Sequence, residues 1–322
     1  MGYYTVDIPT TLVESDYNRI LKSVISKLSA VKGIEAVYQI GGIGTPGISD
    51  LDLVVIFSDD LVCNYNLHEH LSKEEKYLFI HRLYGCSEKN FHESSRFSFF
   101  HNYNLLSGKE IQRDHGRNET EINLIKTQIA LEYMLKMYIN IMLQKEYGIL
   151  QVRSLLLHGK ALKFDLDFLS VNAPVLEKQV NTLLSIRNTW FSSGDSIRNL
   201  TKWFEEFVVT YPEVLSSVLD VRGVYMHGEG NFKIAGNITM SGAESLACIR
   251  HGVKLPAFAA LFLGKKYFRA QNRFNTFEIK VPFKSKGFPE SLLKYFKFQS
   301  QQREYNRKFL PHFYPLSSSL LA

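Results

Sequence analysis

The feature that most constrains this 322-residue chain is a glycine-rich loop between two apolar segments. Residues 36–40 form a short apolar run that stops at Gly41-Gly42, and residues 51–57 (LDLVVIF) form a β-branched run. Both runs predict strands, and the second is apolar enough to be a central strand buried on both faces. The segment between them has four glycines and one proline, a composition typical of a loop.

Two aspartates open the second predicted strand. Because side chains alternate along a strand, Asp50 and Asp52 point to one face while Leu51 points to the other. Two carboxylates about 7 Å apart at a strand edge suit hard divalent cations, and Mg²⁺ favours a few carboxylate oxygens together with substrate phosphates. Gly41 and Gly42 let the backbone approach a ligand closely because they carry no side chain.

Residues 40–42 (Ile-Gly-Gly) and 50–53 (Asp-Leu-Asp-Leu) resemble the signature of the DNA polymerase β-like nucleotidyltransferase superfamily. The resemblance covers residues 38–57, and it implies an α+β fold built on a short mixed sheet with helices. It further implies that Gly41 and Gly42 contact the triphosphate of an NTP and that Ser49 adds a hydroxyl to it.

The same resemblance implies that Asp50 and Asp52 bind two Mg²⁺ ions, for which Mn²⁺ can substitute. In a two-metal displacement, one ion activates the attacking hydroxyl while the other holds the triphosphate and the leaving pyrophosphate. The seven-residue loop between Gly42 and Asp50 is short for this family.

A third carboxylate on a later strand is also implied by the resemblance. Glu93 is the first choice because it precedes residues 96–102 (RFSFFHN), which predict a third strand. Asp165 and Asp167 are the second choice because they alternate as residues of a strand do, although that stretch also fits a helix. Without a third acid, either the first two supply the activating base or the enzyme is inactive.

Two other interpretations of the loop remain open. Residues 42–47 satisfy G-x-G-x-x-G, the dinucleotide fingerprint, but a helix should open after its last glycine, and here a strand follows. The loop also fits a glycine hairpin with two solvated aspartates. The spacing of the full signature and the apolar strand after it favour the nucleotidyltransferase interpretation.

Three domains are predicted along the chain. Residues 1–118 hold the signature and form the catalytic domain, and residues 119–220 form a helical domain. Apolar residues recur at helical spacing over 119–147, 176–190 and 200–219. Residues 221–322 form a mixed or β-rich module, because glycines punctuate short β-prone runs there.

Positive charge is concentrated in the last of these domains. Residues 254–308 contain thirteen basic and three acidic residues, a charge of +10, although the whole chain carries only +6. Twelve aromatic residues interleave with the basic ones, a mixture that stacks bases and contacts phosphates in nucleic-acid-binding proteins. Aromatic residues at this spacing also form the core of a small module, so a core and a nucleic-acid or polyanion surface both remain open.

Other motifs and segments exclude several classes. The longest apolar stretch, residues 255–263, is far shorter than the roughly 20 residues needed to cross a bilayer. The first residues show no basic n-region or apolar h-region, so we expect no export, and the three cysteines show neither disulfide nor zinc spacing. We therefore expect a cytoplasmic protein without a membrane partner. P-loop, G-x-S-x-G and H-E-x-x-H motifs are absent from the sequence.

These features together predict a metal-dependent enzyme that transfers a nucleoside monophosphate from an NTP to an acceptor and releases pyrophosphate. A small molecule or sugar is favoured over RNA or protein as acceptor, because no recognisable RNA-binding module accompanies the signature. The alternative is an inactive protein of the same fold that binds nucleic acid or another polyanion through residues 254–308. The sequence specifies neither the base of the NTP nor the identity of the acceptor.

Overall fold

The computed structural model describes residues 2–97, 102–113, 119–227, 230–264, 266–284, 287–316 and 319–321. The protein is a mixed α+β protein in which small mixed sheets combine with helices, as the sequence predicts at this level. Within these residues, no helix is both long enough and apolar enough to cross a membrane. The three cysteines are unpaired.

The chain divides into two compact units. The N-terminal unit comprises Thr10–Ile125 and Glu290–Leu320, and the middle unit comprises Lys126–Pro289 with residues 2–9 and Leu321. Residues 290–320 thus belong with the N-terminal unit, whereas the sequence-based division assigns them to a C-terminal module. The boundaries of the three sequence-based domains stay predictions.

The N-terminal unit is a four-stranded mixed sheet with helices. Its strands are β2 (Ile34–Ile40), β3 (Asp52–Phe57), β4 (Tyr84–Ser87) and β5 (Asn104–Gly108), in the order β4-β3-β2-β5. Its helices are α1 (Glu14–Ser29), α2 (Leu67–His70), α3 (Lys73–Leu78), α4 (Glu88–Ser94) and α12 (Glu290–Phe309). Strand β2 is antiparallel to β3 and to β5, whereas β3 and β4 are parallel.

Strand β3 is the buried centre of this sheet, as its apolar run predicts. Leu53, Val55 and Phe57 pack into the core that contains α1, and Val54 and Ile56 pack into a second core on the other face. All five residues have no exposed surface. Two buried faces explain why the run is continuously apolar rather than alternating.

The end of the chain completes this core. The side-chain amide of Asn306 in α12 donates to the carbonyl oxygen of Gly85 at 2.9 Å, and the backbone NH of Cys63 donates to the carbonyl oxygen of Phe309 at 2.8 Å. The ring of Phe313 packs edge-on against Phe57 with centroids 5.0 Å apart. The C-terminal segment is therefore part of the N-terminal unit's hydrophobic core.

The middle unit contains most of the helices and a second mixed sheet. Its helices are the later part of α5 (Glu119–Tyr147), α6 (Val152–His158), α7 (Ala161–Leu169), α8 (Pro174–Asn188), α9 (Ser196–Arg222), α10 (Ala260–Leu263) and α11 (Lys266–Phe274). Its strands are β1 (Tyr4–Val6), β6 (Ile149–Gln151), β7 (Val224–Tyr225), β8 (Phe232–Ala235), β9 (Ile238–Gly242), β10 (Ala247–Gly252), β11 (Asn275–Val281) and β12 (Phe283–Lys284). The four-stranded sheet has the order β10-β11-β9-β8, and β1 with β6 and β7 with β12 form two-stranded sheets.

Most elements predicted from periodicity are confirmed. The helix predicted over residues 119–147 is α5, and α8 and α9 correspond to the two later predicted helices. The third strand predicted over residues 96–102 is not observed where it is described: Arg96 and Phe97 form a turn, and residues 98–101 lie outside the described residues. The strand in this part of the chain is β5.

Candidate metal and nucleotide site

Three strand ends lie together at one edge of the N-terminal sheet. Ile40, the last residue of β2, pairs with Asp52, the first residue of β3. Because β4 runs parallel to β3 and Tyr84 pairs with Val54, the residues just before β4 lie beside the start of β3. This topology places the glycine pair, the two aspartates and the segment before β4 at the same edge.

Asp50, Asp52 and His81 converge at this edge. One carboxylate oxygen from each aspartate and one ring nitrogen of His81 lie within 4.8 Å of one another, and all three residues are partly exposed. Leu51 between the aspartates is buried, so the two carboxylates share a side as the sequence predicts. In the described part of the chain, no other group of three such side chains converges in this way.

The imidazole of His81 is fixed through both of its nitrogens. Nε2 lies 2.9 Å from Oδ1 of Asp52, and Nδ1 donates a hydrogen bond of 2.7 Å to the carbonyl oxygen of Arg82. Burial acts to lower the pKa of His81, but the contact with Asp52, the bond to the Arg82 carbonyl and the charge of Asp50 outweigh burial and raise this pKa.

The donor set fits a divalent cation. Apart from the ion pair with His81, the buried Oδ1 of Asp52 receives no bond of hydrogen-bond geometry from any described residue. The carbonyl oxygen of Arg82 holds the proton on Nδ1, so a cation that displaces the proton from Nε2 would meet a lone pair there, as in metal-binding histidines. Imidazole suits transition-metal ions and carboxylates suit Mg²⁺ and Mn²⁺, so this mixed set does not select one divalent cation.

The glycine pair leaves open space in front of the backbone. Gly41 has φ +71°, a conformation that L side chains rarely adopt, whereas Gly42 is not in this region. A Cβ at either position meets no atom within 4 Å. Glycine is therefore required at Gly41 for the backbone conformation, while at Gly42 its effect is to leave the peptide accessible.

Two tyrosines, the buried Tyr17 and the half-buried Tyr77, hold the rest of the loop from two helices. The hydroxyl of Tyr17 in α1 donates to the carbonyl oxygen of Ser49 at 2.7 Å and accepts from the backbone NH of Gly47 at 3.0 Å. The hydroxyl of Tyr77 in α3 donates to the carbonyl oxygen of Gly47. These contacts fix the backbone that leads into Asp50.

Ser49 is itself part of the loop's internal structure. Its side chain is buried, and its Oγ accepts a hydrogen bond of 3.1 Å from the backbone NH of Thr45. The backbone NH of Ser49 donates to the carbonyl oxygen of Thr45 at 2.9 Å. The structure thus assigns Ser49 a role in shaping the loop, and its contact with a triphosphate stays a prediction.

Two tyrosines border His81. The ring of Tyr84 meets the imidazole edge-on with centroids 5.4 Å apart, and the ring of Tyr314 lies tilted at 5.8 Å. The backbone NH of Tyr314 donates to the carbonyl oxygen of Leu83, and the NH of Gly85 donates to that of Tyr314, both at 2.8 Å. Tyr314 is 43% exposed, so an aromatic face borders the site.

The two choices for a third carboxylate lie elsewhere. Glu93 is on α4, partly exposed, and is not one of the side chains that converge with Asp50 and Asp52. Asp165 and Asp167 lie on helix α7 of the middle unit, so the strand-like alternation suggested for them is wrong. The i, i+2 spacing turns them to different sides, because Asp165 is buried and Asp167 is exposed.

His81 is the site residue that sequence reasoning missed. It lies three residues before β4 and carries no local motif; ten histidines in the chain make any single one a weak signal. Its position follows from the parallel pairing of β3 with β4, which only the assembled sheet reveals.

The basic segment 254–308 is divided between the two units at residue 289. Several of its aromatic residues are core residues, among them Tyr267, Phe277 and Tyr295, whereas Phe258 and Phe262 are exposed. The core interpretation therefore holds for some of its aromatic residues, whereas others are exposed. Binding of nucleic acid through it stays a prediction.

Comparisons with known proteins give no match for this chain: no protein-family model matches, and neither a curated protein nor a solved structure is significantly similar.

Proposed function

We propose that this protein is a metal-dependent nucleotidyltransferase that transfers a nucleoside monophosphate from an NTP to an acceptor hydroxyl or phosphate and releases pyrophosphate. The observation that carries the proposal is the convergence of Asp50, Asp52 and His81 beside the open glycine pair. One carboxylate oxygen of each aspartate and one ring nitrogen of His81 lie within 4.8 Å of one another, an arrangement suited to a divalent cation.

In this proposal the aspartates and His81 hold the metal. Asp50 and Asp52 supply carboxylate oxygens, and Nε2 of His81 takes the position for which the family resemblance implies a third carboxylate. A bound divalent cation would neutralise charge on the phosphates and activate the attacking oxygen. Two Mg²⁺ or Mn²⁺ ions remain the proposed cofactor.

The other residues of the edge position the substrate. Backbone NH groups at Gly41 and Gly42 contact the phosphates, and the exposed ring of Tyr314 stacks on the base. The acceptor oxygen bonds to the α-phosphorus while the bond from that phosphorus to the bridging oxygen breaks. Pyrophosphate leaves with the electron pair, and the acceptor's proton passes to a carboxylate of the aspartate pair.

The test is pyrophosphate release by the purified protein with each of the four NTPs and either Mg²⁺ or Mn²⁺, together with calorimetric titration of NTP binding. We expect Asp50→Asn and Asp52→Asn to lower pyrophosphate release by about a hundredfold or more. His81→Asp should retain activity better than His81→Ala and should shift the metal preference from Mn²⁺ towards Mg²⁺.

Glu93→Gln is the matched control, because Glu93 is the alternative third acid. It should leave pyrophosphate release within about twofold of wild type. The proposal fails if the aspartate variants match wild type, or if wild type neither binds an NTP nor releases pyrophosphate. Loss of activity in Glu93→Gln with full activity in His81→Ala would remove His81 from the metal site.

A further inference from the structure

A short turn in the middle unit exposes large apolar side chains. A 3₁₀ turn (Ala257–Ala259) leads into α10, and in this stretch Phe258 is 55%, Leu261 71% and Phe262 84% exposed. The buried residue of this stretch is the small Ala260, at the start of α10. Single exposed apolar residues are common, but several within one turn mark a surface that binds something.

A second exposed apolar pair lies at the other end of the linker to this turn. Val253 is 70% and Phe274 57% exposed, and the backbone NH of Val253 donates to the carbonyl oxygen of Phe274 at 3.1 Å. The linker between pair and turn is fixed, because the hydroxyl of Tyr267 donates to the carbonyl oxygen of Leu255 at 2.9 Å. We call the five exposed residues Val253, Phe258, Leu261, Phe262 and Phe274 the apolar surface.

The charged residues along this stretch of the sequence are all basic, and the acidic residue that lies near them, Glu146, is ion-paired with Arg250. Residues 245–277 contain six basic residues and no acidic residue. Lys254, Lys266, Arg269 and Arg273 are exposed, and none of them forms an ion pair with a described residue. Lys254 lies close to the turn. A Cβ placed on Gly148 would be 3.9 Å from Nζ of Lys254 and 3.6 Å from Cβ of Ala257 in the turn.

Helix α11 has one buried face and one exposed, positively charged face. Tyr267 and Gln271, four residues apart, are buried, whereas Lys266, Arg269 and Arg273 lie on the exposed side. The amide of Gln271 also donates to the carbonyl oxygen of Leu255. The cations are therefore presented from a helix that is fixed to the same linker as the apolar surface.

We propose that the apolar surface and these four cations bind the surface of an anionic lipid bilayer. Exposed apolar side chains that enter the acyl boundary and cations that contact anionic headgroups are the two signals that stable peripheral binding requires. Leu261 and Val253 argue against nucleic acid, because aliphatic side chains cannot stack on bases as aromatic rings do. The expectation of no membrane partner was based on the shortness of residues 255–263, which cannot span a bilayer. Binding to the bilayer surface needs no spanning helix, so that shortness does not argue against it.

The experiment is sedimentation of the full chain with vesicles of phosphatidylcholine alone or mixed with phosphatidylserine. We expect binding to the mixed vesicles that weakens as salt is raised, and little binding to phosphatidylcholine alone. The double variant Leu261→Ser/Phe262→Ser should lower the partition coefficient by about tenfold or more. Lys266→Glu/Arg269→Glu should abolish the preference for the anionic vesicles.

Matched controls come from exposed residues of the same unit. Val209→Ser, at a position 59% exposed on α9, and Lys178→Glu, exposed on α8, should bind the mixed vesicles as wild type does. The changed residues are exposed, so thermal melting should show that every variant is folded. The proposal is overturned if wild type does not bind the mixed vesicles or if the controls weaken binding equally. It is also overturned if the Leu261/Phe262 change instead dissolves a dimer in solution or removes binding to single-stranded RNA.

Discussion

The hydroxyl of Tyr17 donates a hydrogen bond of 2.7 Å to the carbonyl oxygen of Ser49, the residue that precedes the first aspartate of the site. The same hydroxyl accepts a bond from the backbone NH of Gly47, so one buried phenol connects helix α1 to both sides of a loop turn. The position of Asp50 thus depends on a residue more than thirty positions earlier in the chain.

Tyr17→Phe should therefore loosen this loop. The change leaves a buried carbonyl oxygen and a buried NH without their partner, so we expect the free energy of unfolding to fall by about 1–3 kcal/mol. Urea denaturation at pH 7 measures this change, and Tyr314→Phe, at an exposed ring, is the control. Equal stability of Tyr17→Phe and wild type would contradict a structural role for the phenol.

Alanine substitutions at Gly41 and Gly42 test backbone strain and ligand access separately. Gly41→Ala forces a Cβ into a left-handed conformation, so it should lower the free energy of unfolding by about 1–2 kcal/mol. Gly42→Ala should leave stability within about 0.5 kcal/mol of wild type. If the proposed triphosphate contact exists, Gly42→Ala should nevertheless weaken NTP binding in calorimetric titration. The contact is refuted if Gly42→Ala binds NTP with wild-type affinity.

Glu75 should make stability depend on acid pH. Burial acts to raise the pKa of Glu75, but Lys27, the backbone NH of Ser72 and the hydroxyl of Ser23 bind its carboxylate and lower this pKa to about 2. A depressed folded-state pKa means that the stabilisation is present above the unfolded-state value near 4.5 and is lost as pH falls towards 2.

Glu75→Gln should therefore lower the free energy of unfolding at pH 7 by roughly 2–3 kcal/mol and flatten its decline between about pH 5 and pH 2. Glu74→Gln is the control, because Glu74 is half exposed and its ion pair with Arg19 is a surface pair. Parallel pH profiles of wild type and Glu75→Gln would show that the carboxylate makes no net contribution.

Asp165 should make stability depend on pH in the direction opposite to that of Glu75. Burial raises the pKa of Asp165, and its Oδ2 has no hydrogen-bond partner in the described part of the chain. A raised folded-state pKa in a carboxyl group means that stability falls as pH rises above the unfolded-state value near 3.9, because the charged form is buried.

Asp165→Asn should accordingly raise the melting temperature near pH 8, and the gain should shrink as pH approaches 4. Asp167→Asn, on the same helix but exposed, should change little at either pH. A variant that is less stable than wild type at pH 8 would indicate that the buried carboxylate has a stabilising partner.

Local patterns in the sequence determined several parts of this protein. The β-branched run at residues 51–57 predicts β3 because a strand buried on both faces must be continuously apolar, and apolar spacing predicts α5 with its observed bounds. Alternation along the strand also places Asp50 and Asp52 on one side without further information. These inferences need only neighbours a few residues apart.

Only the tertiary structure decided which segments distant in the sequence lie together. His81 reaches Asp52 because β4 pairs parallel to β3, and α12 joins the N-terminal unit because its side chains pack into that unit's core. The strand-like alternation that made Asp165 a candidate third acid is wrong, because residues 161–169 form a helix that buries one face. Whether Phe262 is a core or a surface residue was likewise undetermined, since burial depends on which distant segments pack nearby and not on local composition.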